Sequence, residues 1–188
     1  LANIRECDAI IHVLRCFDNG NIVHVDGSVN PVRDKEIIDT ELQLKDLETV
    51  EARIKKVEKA ARVGGDKQAK IELQVLEAYR DALEQGKSAR TVTFETEDEI
   101  AAAKSLFLLT TKPVLYVCNV DDASASTGNA YTEAVKKAIE GEDAEMLIIS
   151  AQTEADIAEL ESYEEKQMFL EDMGLSESGC NRLIKAIS

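Results

Sequence analysis

The stretch Lys112-Pro113-Val114-Leu115-Tyr116-Val117-Cys118-Asn119 constrains the fold of this chain more than any other. An apolar run of this length, bounded by Pro and cut off by Asn, shows no polar alternation and predicts a strand covered on both faces, as in a parallel sheet. Ligands of open α/β sheets bind at the carboxyl ends of such strands. Asn119 and, three residues on, Asp122 stand at that end. An amide with a donor and an acceptor beside a carboxylate suits the edge of a purine, so a nucleotide base pocket is expected there.

Two further strands are predicted. Residues 8–17, with the core Ala9-Ile10-Ile11-His12-Val13-Leu14, are too apolar for a strand exposed on one face and should lie inside a covered sheet. Glu145-Met146-Leu147-Ile148-Ile149-Ser150 forms the third. Between them, Thr96 with Glu99 makes a capping box for a helix running through residues 100–109, residues 123–128 form a small-residue loop, and residues 130–139 form a short helix. Helix and strand thus alternate, which predicts parallel strands with right-handed crossovers. Asp18-Asn19-Gly20-Asn21 and Asp26-Gly27-Ser28-Val29-Asn30-Pro31 are turn clusters around a short extended piece, residues 22–25. Residues 154–188 are helical and acidic, broken at Gly174, and their carboxylates Glu159, Glu161, Glu164 and Glu165 read as a solvated helix face.

From residue 34 to about 62 the chain becomes charged, and Leu47, Val50, Ile54, Val57 and Ala61 recur at spacings of three and four, a heptad seam. Val63-Gly64-Gly65-Asp66 breaks the helix; residues 67–85 resume it with Leu73, Leu76 and Leu83 on one face until Gly86 stops it. Residues 34–86 are therefore expected to form an inserted antiparallel coiled-coil arm, with residues 1–33 and 87–188 making the α/β part. Near the turn, Arg53, Lys55, Lys56, Lys59, Arg62, Lys67 and Lys70 face only Glu58 and Asp66, in a chain of net charge -15. The overall charge argues against a broad nucleic-acid face and against DNA as a partner. The basic segment leaves open either a solvated helix face with i,i+4 pairs or a local contact with RNA phosphate.

No segment has the ~18 uninterrupted apolar residues of a membrane span, so a cytoplasmic protein is expected. Cys7, Cys16, Cys118 and Cys180 form no Cys-x-x-Cys pair, and the first three lie in or beside apolar runs, where reduced core thiols are expected. His12, within its apolar run, reads as a packed or hydrogen-bonded histidine, and His24 likewise.

Taken with the order of parts, four segments carry a resemblance: Ile4-Arg5-Glu6-Cys7-Asp8-Ala9-Ile10-Ile11-His12-Val13-Leu14-Arg15-Cys16-Phe17, Asp39-Thr40-Glu41-Leu42, residues 112–119, and Glu171-Asp172-Met173-Gly174-Leu175-Ser176-Glu177-Ser178-Gly179. Collinear along the whole chain, they resemble the Obg-like ATPases of the YchF family, in the Obg group of translation-factor-type P-loop NTPases. The resemblance implies that Asn119, Val120 and Asp122 belong to the base-recognition loop. The family typically carries Asn-x-x-Glu there, with an apolar second residue. Val120 fits, and favours ATP over GTP because it replaces the Lys of ordinary GTPases; Asp122 departs from the pattern and restores the shorter carboxylate of a guanine reader. Ser150, Ala151 and Gln152 resemble the second base loop, in which the Ala backbone N–H can meet the purine edge.

The chain contains no Gly-x-x-x-x-Gly-Lys-[Ser/Thr]; its Gly86-Lys87-Ser88 has Asp81 where the upstream Gly is required. Beside the family it therefore looks like an internal fragment, without the phosphate loop, both switch segments and the TGS domain. The resemblance implies a full-length hydrolase of ATP or GTP with Mg2+, associated with the ribosome or ribosomal RNA. This chain alone is expected to be inactive and to hold no cofactor, with no catalytic or metal-ligating residue to be named in it. The alternative is a non-catalytic ribosome- or RNA-binding module that acts through the arm.

Overall fold

The computed structural model describes residues 9–18 and 28–187. Three strands, β1 (Ile10–Arg15), β2 (Val114–Asn119) and β3 (Glu145–Ile149), form one sheet in the order β1-β2-β3. β2 and β3 are parallel, in a register that pairs Leu115 with Glu145 and Asn119 with Ile149. β1 runs the same way, since the Ile10 amide donates to the Pro113 carbonyl and, six residues further along both chains, Cys16 donates to Asn119. Between the strands lie the helices α1 (Pro31–Arg62), α2 (Lys67–Glu84), α3 (Glu97–Lys104) and α4 (Ala130–Ala138). After β3 come α5 (Ala151–Ala158), α6 (Tyr163–Asp172) and α7 (Gly179–Ile187). The sequence-predicted extended piece at 22–25, with His24, lies outside the described residues, as do Cys7 and the start of the first predicted strand.

Contacts divide the chain into two compact units, one built on Glu36–Pro113 and the other on Ile11–Lys35 and Val114–Ser188. In the first, Val50, Ile54 and Ala61 of α1 share one buried cluster with Leu73, Leu76 and Leu83 of α2, while Leu47 and Val57 pack against it half-buried. Burying each such aliphatic side chain contributes about 1.5–3 kcal/mol. The turn between the helices uses Gly65 at φ 69°, a left-handed conformation that glycine adopts without cost. Asp66 then caps α2 by accepting from the Gln68 and Ala69 amides.

α3 opens with the expected capping box, as Thr96 and Glu99 satisfy each other's backbone donors. It ends at Lys104, earlier than the predicted 109. The cause lies far away in sequence. Asp46 of α1, fully buried, accepts from the amides of Leu109 and Thr110, both at 2.7 Å, and from the Thr110 hydroxyl at 2.6 Å. Those amides cannot also serve an α-helix, so the chain turns through Phe107 at φ 51° into a 3₁₀ turn at Leu109–Thr111. Thr110 Oγ1 accepts in turn from the Ala89 amide at 2.7 Å.

In the second unit, Leu14, Cys16, Tyr116, Cys118, Val120, Val135 and Ile139 form the core between the sheet and α4. Tyr116 donates to Glu142 at 2.7 Å, and Lys35, in the first turns of α1, pairs with the same carboxylate at 2.9 Å. His12 packs on the Tyr116 ring, centroids 5.6 Å apart, in keeping with a packed histidine. The expectation that β1 is covered on both faces needs correction: Ile11 and Val13 are 43% and 63% exposed. β1 stands at one end of the three-strand order, and no described segment packs on that side of those two residues.

Candidate functional site

The parallel register of β2 and β3 sets Asn119 opposite Ile149, and the ladder continues with the Val120 amide donating to the Ile149 carbonyl at 2.9 Å. The two chains therefore leave the sheet side by side, and their loops meet. Asn119 Oδ1 accepts from the Ala151 amide at 3.0 Å. Asp122 Oδ1 accepts from the Ser150 hydroxyl and from the Thr153 hydroxyl, each at 2.7 Å. Ser150 is also the N-cap of α5, its Oγ accepting from the Thr153 amide at 3.1 Å. Asp121 braces the other side by accepting from the Ser124 amide at 3.2 Å, which starts a 3₁₀ turn at Asp122–Ser124.

Of the residues predicted from sequence for this site, Asn119, Asp122, Ser150 and Ala151 are brought into one hydrogen-bonded group. Val120 and Gln152 are not part of it. Val120 is buried in the core behind the loop, and Gln152 Nε2 donates to Asp156 at 3.1 Å along its own helix. Thr153 belongs to the group and was not singled out in the sequence. The signal was present in the spacing Ser150-x-x-Thr153, where a hydroxyl on the first turn of a helix whose N-cap is also a hydroxyl can share that cap's acceptor.

Among the side chains of this group, Asn119 Nδ2 remains as a donor and Asp122 Oδ2 as an acceptor. That pair can meet one acceptor and one donor on a purine edge, so the group fits a base. Among the described residues no three His, Cys, Asp or Glu side chains converge as metal ligands, and no residue here is assigned to Mg2+. In the core behind the site, Cys16 is raised far above the ordinary thiol range by its hydrogen bond to Cys118 and by burial, and that same hydrogen bond lowers Cys118.

The predicted basic residues lie in the first unit. Arg53 pairs with Glu72 at 2.5 Å, and Arg62 with Glu58 at 3.1 Å and Glu77 at 3.0 Å. Lys55, Lys56, Lys59, Lys67 and Lys70 are exposed and form no ion pair among the described residues. No described helix is long and apolar enough to cross a membrane.

The fold and its paired strand-end loops define an α/β protein with a parallel sheet and a loop cluster at the carboxyl edge. No family model matches the chain. Curated relatives do. It is 47% identical over 188 residues to the "Ribosome-binding ATPase YchF" of Bacillus subtilis, covering 99% of this chain and 50% of that protein. It is 36% identical to "Obg-like ATPase 1" of Rattus norvegicus, covering 99% and 48%. Among solved structures, the "Structure of the Schizosaccharomyces pombe YchF GTPase" matches with a TM-score of 0.86 and 28% identity over 98% of this chain and 50% of that one. Its homologues over this whole length are thus proteins named YchF and Obg-like ATPase, and the chain spans about half the length of the relatives it matches.

Proposed function

We propose that Asn119, Asp122, Ser150 and Ala151 form the base-reading side of a nucleoside triphosphate site, and that the whole protein hydrolyses ATP, in preference to GTP, with Mg2+. The observation that carries this reading is the cross-bonding of two loops at the ends of neighbouring parallel strands, Asn119 to Ala151 and Ser150 to Asp122. Two loops locked together hold a rigid edge, and a rigid donor–acceptor edge selects one base over another without reorganising. Val120 packs in the core behind the loops, and Gln152 stands beside them on the first turn of α5. Transfer of the γ-phosphoryl group to water depends chiefly on positioning and charge neutralisation. No described residue is assigned a catalytic part in it.

The test is titration of the intact gene product with ATP, GTP and CTP in Mg2+, with phosphate release followed in parallel. Purines should bind at least about tenfold more tightly than CTP, and Asn119→Ala should erase most of that difference. Equal affinity for all three, or no Mg2+-dependent phosphate release, would sink the proposal.

A second reading rests on a separate observation, the five exposed lysines without ion pairs. Here residues 34–86 form a coiled-coil arm inserted in the sequence of a nucleotide-binding domain, and Lys55, Lys56, Lys59, Lys67 and Lys70, flanked by Arg53 and Arg62, meet RNA phosphate on a ribosome. The relatives' name, "Ribosome-binding ATPase YchF", supports a ribosomal partner. The two readings are compatible in one protein, the nucleotide setting the affinity of the arm.

A further inference from the structure

We infer that Thr153 is the positioning residue of the base pocket: with Ser150 it fixes the Asp122 carboxylate so that one defined oxygen is presented to the base. This inference rests on the base-site reading above. The Asp122 residue as a whole is exposed, and an exposed carboxylate ordinarily rotates among several orientations. This one is tethered at a single oxygen. Oδ1 takes two hydroxyl donors, Ser150 and Thr153, each at 2.7 Å. Both donors come from side chains that are themselves almost fully buried, at 2% and 1% exposure.

The directions of those hydroxyls are fixed as well. Ser150 Oγ accepts from the Thr153 amide at 3.1 Å, which leaves its proton to Asp122. With both lone pairs of Oδ1 engaged, turning the carboxylate out of this plane would break two charge-assisted bonds at once, and a half turn merely exchanges its two equivalent oxygens. Oδ2 is thereby the presented acceptor. Asn119 is oriented by the same logic, because its Oδ1 must face the Ala151 amide and its Nδ2 must face outward.

The presented pattern is one donor beside one acceptor. Adenine meets this pair with N7, an acceptor, beside the N6 amino donor, whereas guanine meets it with O6 beside N1–H, one position round the ring, so a fixed pair suits only one of the two purines for a given place of the ribose. Thr153 therefore acts on discrimination between purines rather than on affinity for the triphosphate.

The experiment compares Thr153→Val, which keeps shape and removes the hydroxyl, with Thr153→Ser, which keeps the hydroxyl. Dissociation constants for ATP, GTP and CTP are measured on the intact gene product, with melting temperature as the control for folding. A hydrogen bond of this kind is worth on the order of one kcal/mol, so Thr153→Val should move the ATP:GTP affinity ratio toward unity by about fivefold or more. CTP binding should stay as it was, and Thr153→Ser should restore the ratio to within about twofold. Ser150→Ala, which removes the other hydroxyl from the same oxygen, should shift the ratio in the same sense and serves where Thr153→Val does not fold.

An unchanged ratio in Thr153→Val and Ser150→Ala, with Asp122→Ala collapsing it, would overturn the role of the hydroxyls and leave the pocket standing. An unchanged ratio in Asp122→Ala too would overturn the pocket itself. Equal losses for ATP, GTP and CTP in Thr153→Val would mark a merely structural threonine and overturn the inference.

Discussion

Asp46 and Tyr79 show how a single charge shapes its surroundings. The Asp46 carboxylate is fully buried, which is tolerable because three donors from the Leu109–Thr111 turn converge on it. Its charge is felt next door. The Tyr79 phenol, buried and in edge contact with Phe94 at 5.2 Å, is pushed up to about 12 by burial first and by Asp46 second. An unfolded tyrosine titrates near ~10, so the folded state binds the proton more tightly than the unfolded chain. The resulting stabilisation is present in full below about pH 10 and is lost as pH rises from there through about 12. Urea denaturation across this window should show the midpoint of the unaltered protein falling more steeply than that of Tyr79→Phe. Identical slopes would mean that the phenol is not held in its neutral form by the fold.

At the scale of elements, α7 is seated by an absence of side chain. A Cβ on Gly179 would lie 2.8–2.9 Å from the Ile149 side chain and against the Glu154 carboxylate, which accepts from the Gly179 amide. α7 also holds β3 through Arg182, whose guanidinium donates to the Ile148 carbonyl at 2.6 Å. Gly179→Ala should therefore push α7 off β3 and cost about 1–3 kcal/mol, read as a lower denaturation midpoint. A loss smaller than a few tenths of a kcal/mol would show that the helix shifts freely. The same element level explains what could be read from the residues and what could not. Val50, Ile54 and Ala61 with Leu73, Leu76 and Leu83 announce a shared apolar seam because helical period and burial are local properties. β2, too, was legible from its own composition, and with it the meeting of Asn119 and Ser150. The end of α3 was not, because it is set by a carboxylate 63 positions away along the chain from Leu109. The exposed face of β1 was misread for a related reason: an apolar run specifies a strand, whereas its cover comes from other segments. Thr153 was overlooked because its role depends on Asp122, 31 positions away.

Over the whole molecule, charge is distributed against its average. The chain carries a net -15, yet residues 53–70 hold seven basic and two acidic side chains. Neighbouring carboxylates neutralise part of that excess, since Glu58, Glu72 and Glu77 take up Arg53 and Arg62. The lysines are left over. An acidic molecule is repelled by RNA at long range, and the repulsion fades beyond a Debye length of about 8 Å at physiological salt. A locally basic patch can outweigh that repulsion at contact distance, and would then dominate any contact with phosphate. Each lysine that neutralises a phosphate releases a counterion, so binding through the patch should weaken steeply with salt. Replacing Lys55, Lys56 and Lys59 together by Glu removes three such contacts at exposed positions where packing is not disturbed. The variant should keep its melting temperature, lose co-sedimentation with ribosomes, and lower the slope of log affinity against log salt by about 2–3. Unchanged sedimentation and an unchanged slope would take any ribosome contact away from these three lysines, whereas loss of sedimentation with the slope intact would assign them to a protein rather than a phosphate surface.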